Sequence, residues 1–84
     1  MRQIRYFEEH RVVWIQARDH KDLYWIASQV TEAWETHIRS YDFTFGGDDV
    51  SDVQFFLTEA GKEAWDTVIR PALEARLQTP VLDT

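Results

Sequence analysis

A small α+β fold is what this sequence predicts: an antiparallel sheet of three to four strands with two helices packed on one face, in the order β(β)αββα. Two stretches space their apolar residues by three and four, as helices do, and the stretches before and between them alternate with a period of two or run β-branched and aromatic. Gln3 to Phe7 and Arg11 to Gln16 are of the latter kind, with Glu8-Glu9-His10 as a turn between them, so a hairpin or one long bent strand is expected. Val12-Val13-Trp14-Ile15 is apolar on both faces, which suits a central strand that is covered on each side, or covered on one side and paired with a partner on the other.

Asp19 stands where an N-cap belongs and Asp22 follows in the first turn. From there Leu23, Ile26, Ala27, Val30, Ala33, Trp34, His37, Ile38 and Tyr41 keep helical spacing, which predicts a helix of nearly five turns. Tyr41, Phe43 and Phe45, then Val53, Phe55 and Leu57, alternate with polar or second-face residues on either side of Gly46-Gly47-Asp48-Asp49, a hairpin pattern with an acidic loop. Thr58 caps a second helix with Glu59 in its first turn and a stripe of Ala60, Ala64, Trp65, Val68, Ile69 and Ala72. Pro71 lacks an N–H and crowds the preceding turn, so it predicts a kink, or a break with Pro71 opening a new short helix. Residues 1–78 read as one domain, and 79–84 as a tail that either stays loose or adds an edge strand through Val81-Leu82.

Apolar residues make up 44% of the chain, and four Trp, five Phe and three Tyr give it the material for a hydrophobic core. The absence of Cys excludes disulfides, thiolate metal sites and cysteine nucleophiles. No apolar run reaches the roughly 18 residues of a membrane span, and Met-Arg-Gln-Ile lacks the layout of a signal peptide, so a cytoplasmic protein without membrane contact is expected. The net charge of -6 is uneven: residues 1–21 carry +2, 22–66 carry -8, and 67–84 balance. Such an acidic middle repels phosphate backbones and attracts a basic protein groove.

Catalytic and metal-binding patterns are weak. His10, His20 and His37 are scattered and lack the i, i+4 pairing of helical ligands, and Ser28, Ser40 and Ser51 have no nucleophile-elbow context. Gly46-Gly47 is followed by aspartates, which oppose a phosphate, and the order of Asp48, Asp49 and Asp52 does not match a calcium loop. No enzyme activity and no cofactor are expected. What remains is binding. Asp48, Asp49 and Asp52 from the hairpin and Glu59 and Glu63 from the second helix would form an acidic face if the hairpin tip and the helix starts share an edge. The structural alternative is ordinary turn and helix-dipole chemistry. Trp25, about 200° around the helix from Leu23, points outward beside Tyr24, as an interface anchor would, unless the N-terminal hairpin or the tail covers it. Phe56 faces away from Phe55 and Leu57, so a dimer partner, the tail or a target protein should cover that second face.

Val53-Gln54-Phe55-Phe56-Leu57-Thr58-Glu59-Ala60-Gly61-Lys62, continuing through Trp65 to Pro71, resembles the wing strand and following helix of winged-helix transcription regulators of the multiple-antibiotic-resistance type. The resemblance implies a wing at residues 43–57 and, as one reading, a dimeric DNA-binding regulator that uses Arg2, Arg5, Arg11 and Arg18. Family wings carry arginine where this tip has Gly46-Gly47-Asp48-Asp49, and no short helix-turn-helix stands upstream of it, so no direct nucleic-acid binding is expected. In size, charge and lack of catalytic motifs the whole chain is similar to the small acidic phage inhibitors of the anti-CRISPR type. That similarity implies a non-enzymatic inhibitor or adaptor docking on a basic surface of a larger nucleic-acid-handling protein or nucleoprotein complex, with a homodimer also in view. The expected partner-binding residues are Trp25, Asp48, Asp49, Asp52, Phe56, Glu59 and Glu63.

Overall fold

A computed structural model describes residues 2–46 and 50–83. The first segment is a hairpin: β1 (Gln3–Phe7), a 3-10 turn (Glu8–His10) and β2 (Val12–Ala17). Arg11 closes the turn in the left-handed region, with its N–H on the Glu8 carbonyl. Helix α1 (His20–Ala33) starts at Asp19, whose side chain accepts from the Lys21 N–H at 3.0 Å. Leu23, Ile26, Ala27 and Val30 form its buried stripe.

Helix α1 stops well before Tyr41, where the periodicity had suggested it would end. Trp34 leaves helical geometry, a 3-10 turn (Glu35–His37) follows, and β3 (Ile38–Gly46) begins directly. Residues 37, 38 and 41 fit a helical stripe by spacing alone. Strand pairing claims them instead, because Ile38 lies opposite Leu57 and Tyr41 opposite Phe55 on the neighbouring strand β4 (Val50–Leu57).

Thr58 caps the second helical segment by accepting from the Gly61 N–H at 3.1 Å. It comprises α2 (Glu59–Ala64), a π-helical turn (Trp65–Ile69) and α3 (Arg70–Leu77). Pro71 stands in the first turn of a separate short helix, α3, as the second of the two expected alternatives has it, and the π turn before it is closed by the Arg70 N–H on the Trp65 carbonyl. The buried stripe is Gly61, Trp65, Ile69, Leu73 and Leu77. Ala60 and Val68, expected inside, are exposed: Gly61 takes the buried position beside Ala60, and Val68 falls within the π turn, whose wider winding changes its angular position.

Among the described residues the sheet has five strands where three or four were expected, and it is mixed. Its order is β3-β4-β2-β1-β5. The extra strand, β5 (Val81–Asp83), joins β1 in parallel through Ile4 opposite Val81, and its Val81 is buried in the core. All other neighbours are antiparallel. The hairpin β3–β4 lies within the sheet, since β4 also pairs along its length with β2.

Both helical segments cover one face. Ile4, Tyr6, Val13, Ile15, Val53, Phe55 and Leu57 from the strands meet Leu23, Ile26, Trp65, Ile69 and Leu73 in a single cluster. Tyr6 stacks on Trp65 with ring centroids 4.3 Å apart. The second helix lands so closely on the turn after α1 that a Cβ at Gly61 would collide with the His37 carbonyl oxygen and sit 3.1 Å from the Leu57 Cβ. Glycine is needed there for close approach.

Candidate functional site

Among the described residues no helix lies on the opposite face of the sheet, and the strand registers fix what it presents. Successive side chains alternate between faces, so the partners of the core residues line up outward in rows. The first row is Phe7, Val12, Phe56 and Ser40, each opposite the next across β1, β2, β4 and β3. A second row runs Leu82, Arg5, Trp14, Gln54 and Asp42. A third holds Gln3, Gln16, Asp52 and Thr44. The face thus grades from apolar at the end near the 3-10 turn Glu8–His10 to polar and acidic at the end near the β3–β4 loop.

Phe7, His10, Val12, Trp14, Arg39, Gln54 and Phe56 line an open groove of about 640 Å³ on this face. Val12 is buried in its floor, Phe7, Trp14 and Phe56 are half-buried, and the Arg39 guanidinium lies 6.0 Å from the Phe56 ring centre. Three aromatics at one end of the sheet, flanked by Arg39, His10 and Gln54, give contact area at small entropy cost and polar groups to orient it. The tail does not cover this surface, because β5 extends the sheet sideways in its own plane.

The residues picked from sequence fall in several places. Phe56 lies in the groove. Asp52 is on the same face in the third row, two rungs from the apolar end, half-buried, and its Oδ1 has no hydrogen-bond partner among the described residues. Asp48 and Asp49 lie outside the described residues. Glu59 is exposed and stands beyond the opposite end of β4 from Asp52, about 17 Å away by strand rise, and Glu63, also exposed, follows it on α2. Asp52 and Glu59 therefore stand at opposite ends of β4. Glu59 is engaged with Arg11 at 2.7 Å, the ion pair tying the first turn of α2 to the β1–β2 turn.

Trp25 is 45% exposed on the outer face of α1, with the Arg2 guanidinium 5.5 Å from its ring centre. Neither hairpin nor tail covers it, and α1 stands between it and the sheet, so it cannot share a flat interface with Phe56. Arg2 is itself fixed by Asp22 at 2.7 Å and by the Leu77 carbonyl at 3.3 Å. The Arg2 hydrogen bond, with its charge, holds the Asp22 carboxyl below its usual range against the opposing effect of burial. Burial first, and then Glu8 and Asp66, push the Tyr6 phenol up.

Phe7, Trp14 and Arg39 escaped the reading of the sequence as site residues, although the two-sided apolar run Val12–Ile15 was a signal for this face. Among the described residues no three His, Asp or Glu side chains converge as metal ligands, and no helix is long and apolar enough to cross a membrane. Fold and surface define a class: a one-layer-covered α+β domain with an open aromatic sheet face. Compared with protein-family models, curated proteins and solved structures, the chain matches none of them.

Proposed function

We propose that the protein is a non-enzymatic binding module, an inhibitor or adaptor, that docks through the open face of its sheet on a basic surface of a larger nucleic-acid-handling protein. The observation that carries this reading is the groove of Phe7, Val12, Trp14 and Phe56 on a sheet face left bare by both helices and by the tail. Desolvated aromatics supply most of the energy in protein contacts, while charge acts mainly on encounter and selection. The net charge of -6 and the carboxylates Asp42 and Asp52 on the polar rows favour a basic partner. Phe56 and Trp14 are the anchors in this scheme, and Asp52 and Asp42 form part of the rim.

A nuclease-treated pull-down at low and moderate salt tests the reading with three baits: the natural chain, a Trp14→Ser/Phe56→Ser double variant, and Trp25→Ala. The expected result is a nucleic-acid-handling protein captured by the first and third baits, lost with the double variant, and weakened by salt. Capture that survives Trp14→Ser/Phe56→Ser would remove the open face from the proposal, and capture that depends on nucleic acid would replace the protein partner by DNA or RNA.

A further inference from the structure

We infer that β3 is a self-association edge, and that two copies of this chain join there into one continuous sheet by antiparallel β3–β3 pairing centred on Phe43. The backbone geometry comes first. The Leu57 N–H donates to the Arg11 carbonyl at 2.9 Å, so Leu57, Phe55 and Val53 turn their backbone groups towards β2. By alternation Phe56, Gln54 and Asp52 turn theirs towards β3, where they meet Ser40, Asp42 and Thr44. The N–H and C=O groups of Tyr41, Phe43 and Phe45 consequently point out of the sheet, along an edge that no described strand pairs.

The two edges of the sheet are built differently. At the far edge β5 is three residues long, its Val81 N–H goes to Glu74 Oε2 at 2.7 Å, and Asp83 is held by Arg70 at 3.1 Å. Those contacts blunt it. β3 is nine residues long and contains no Pro and no Lys, two of the residues that protect edges, and its register shift against β4 is confined to its start, between Ile38 and Ser40. On its helix-side face it carries a ladder of rings that overhangs α1: Tyr41 against Phe43 at 5.7 Å, Phe43 stacked on Phe45 at 5.8 Å, and Tyr24 of α1 against both phenylalanines at 5.3 and 5.9 Å. Tyr24, Tyr41 and Phe45 are 52%, 45% and 48% exposed.

What selects a second copy as the occupant is the self-complementarity of this strand. With Phe43 opposite the partner's Phe43, Tyr41 lies opposite the partner's Phe45, and Asp42 opposite the partner's Thr44. Rings meet rings on one face and no like charges meet on the other. Moving the axis to residue 42 sets Asp42 against the partner's Asp42. An antiparallel pair directs the start of β3 towards the end of its partner's β3, as a two-fold interface requires.

The test is sedimentation equilibrium of the full chain over a wide concentration range, with Thr44→Asp and Thr44→Lys alongside and a thermal melt of each to verify folding. Thr44 is exposed and each Asp42–Thr44 pair occurs twice in the dimer. A monomer–dimer equilibrium is expected, weakened on the order of five- to tenfold by Thr44→Asp and strengthened comparably by Thr44→Lys. A chain that stays monomeric throughout, or a dimer that responds equally to both substitutions, would overturn the inference. This interface uses the edge rather than the open face, so it stands or falls independently of the proposed docking surface.

Discussion

Phe55 and Phe56 are neighbours on one strand and belong to different parts of the protein. Phe55 is 0% exposed and packs in the cluster that both helical segments close over. Phe56, turned through the sheet, is half-buried beside Arg39 in an open groove. The same contrast holds along β1 and β2, where Ile4, Tyr6, Val13 and Ile15 are buried while Arg5, Phe7 and Trp14 keep access to solvent. The difference separates the tasks: the covered face holds the fold, and the open face is free to hold something else. A residue spent on the open face gives up part of the burial energy that its neighbour collects, about 25 cal/mol per Å² of apolar area.

The contrast can be put under load. Phe55→Ala should cost about 3–5 kcal/mol, a large part of the stability of a domain this size, whereas Phe56→Ala should cost about 1 kcal/mol. Urea melts of both variants measure the difference, and equal losses would mean that the open face is as much core as the covered one. Gly61→Ala should cost about 1–3 kcal/mol, because the backbone carbonyl of His37 cannot step aside as a flexible side chain would. A tolerated alanine there would show that the second helix sits less closely on the covered face. Thr58→Ala removes the cap of the same helix and should cost about 1 kcal/mol in the same melts.

The smallest expected effect is one of pH. Asp22 is held below its usual range first by the Arg2 hydrogen bond, so in mild acid the unfolded chain binds more protons than the folded one. Its contribution to stability is present above the ordinary Asp range and is lost as pH falls through the lowered value. The pair is exposed by 29% and 30%, so the contribution is under about 1 kcal/mol. Asp22→Asn should flatten the acid limb of a stability profile by that amount and leave neutral-pH binding unchanged. A steeper acid limb in the variant would reverse the assignment.

Much of the local structure was legible in the sequence. Asp19 and Thr58 work as caps because a cap is a hydrogen bond spanning two or three residues, and no distant group is needed to make it. The alternation of Val53, Phe55 and Leu57 predicted one buried face for the same reason. The end of α1 was not legible, since His37, Ile38 and Tyr41 satisfy a helical spacing while Leu57 and Phe55 stand opposite two of them in the sheet. The path past Pro71 was legible in part: Pro71 stands in the first turn of a new short helix, one of the two expected outcomes, while the π turn before it has no local signal in the sequence.

The candidate surface shows the same division at longer range. The sequence by itself determined that Phe56 leaves the plane of Phe55, that the middle of the chain is acidic, and that Val12–Ile15 is apolar on both sides. Only the tertiary structure decided that Phe7, Val12 and Phe56 form one row, that Trp25 lies beyond α1, and that Glu59 and Asp52 stand at opposite ends of β4. The physical reason is that a side chain's direction follows from its own strand or helix, whereas its neighbours depend on strand order. Strand order is settled by pairings between segments far apart in the chain, such as Ile4 with Val81, and no local periodicity encodes them.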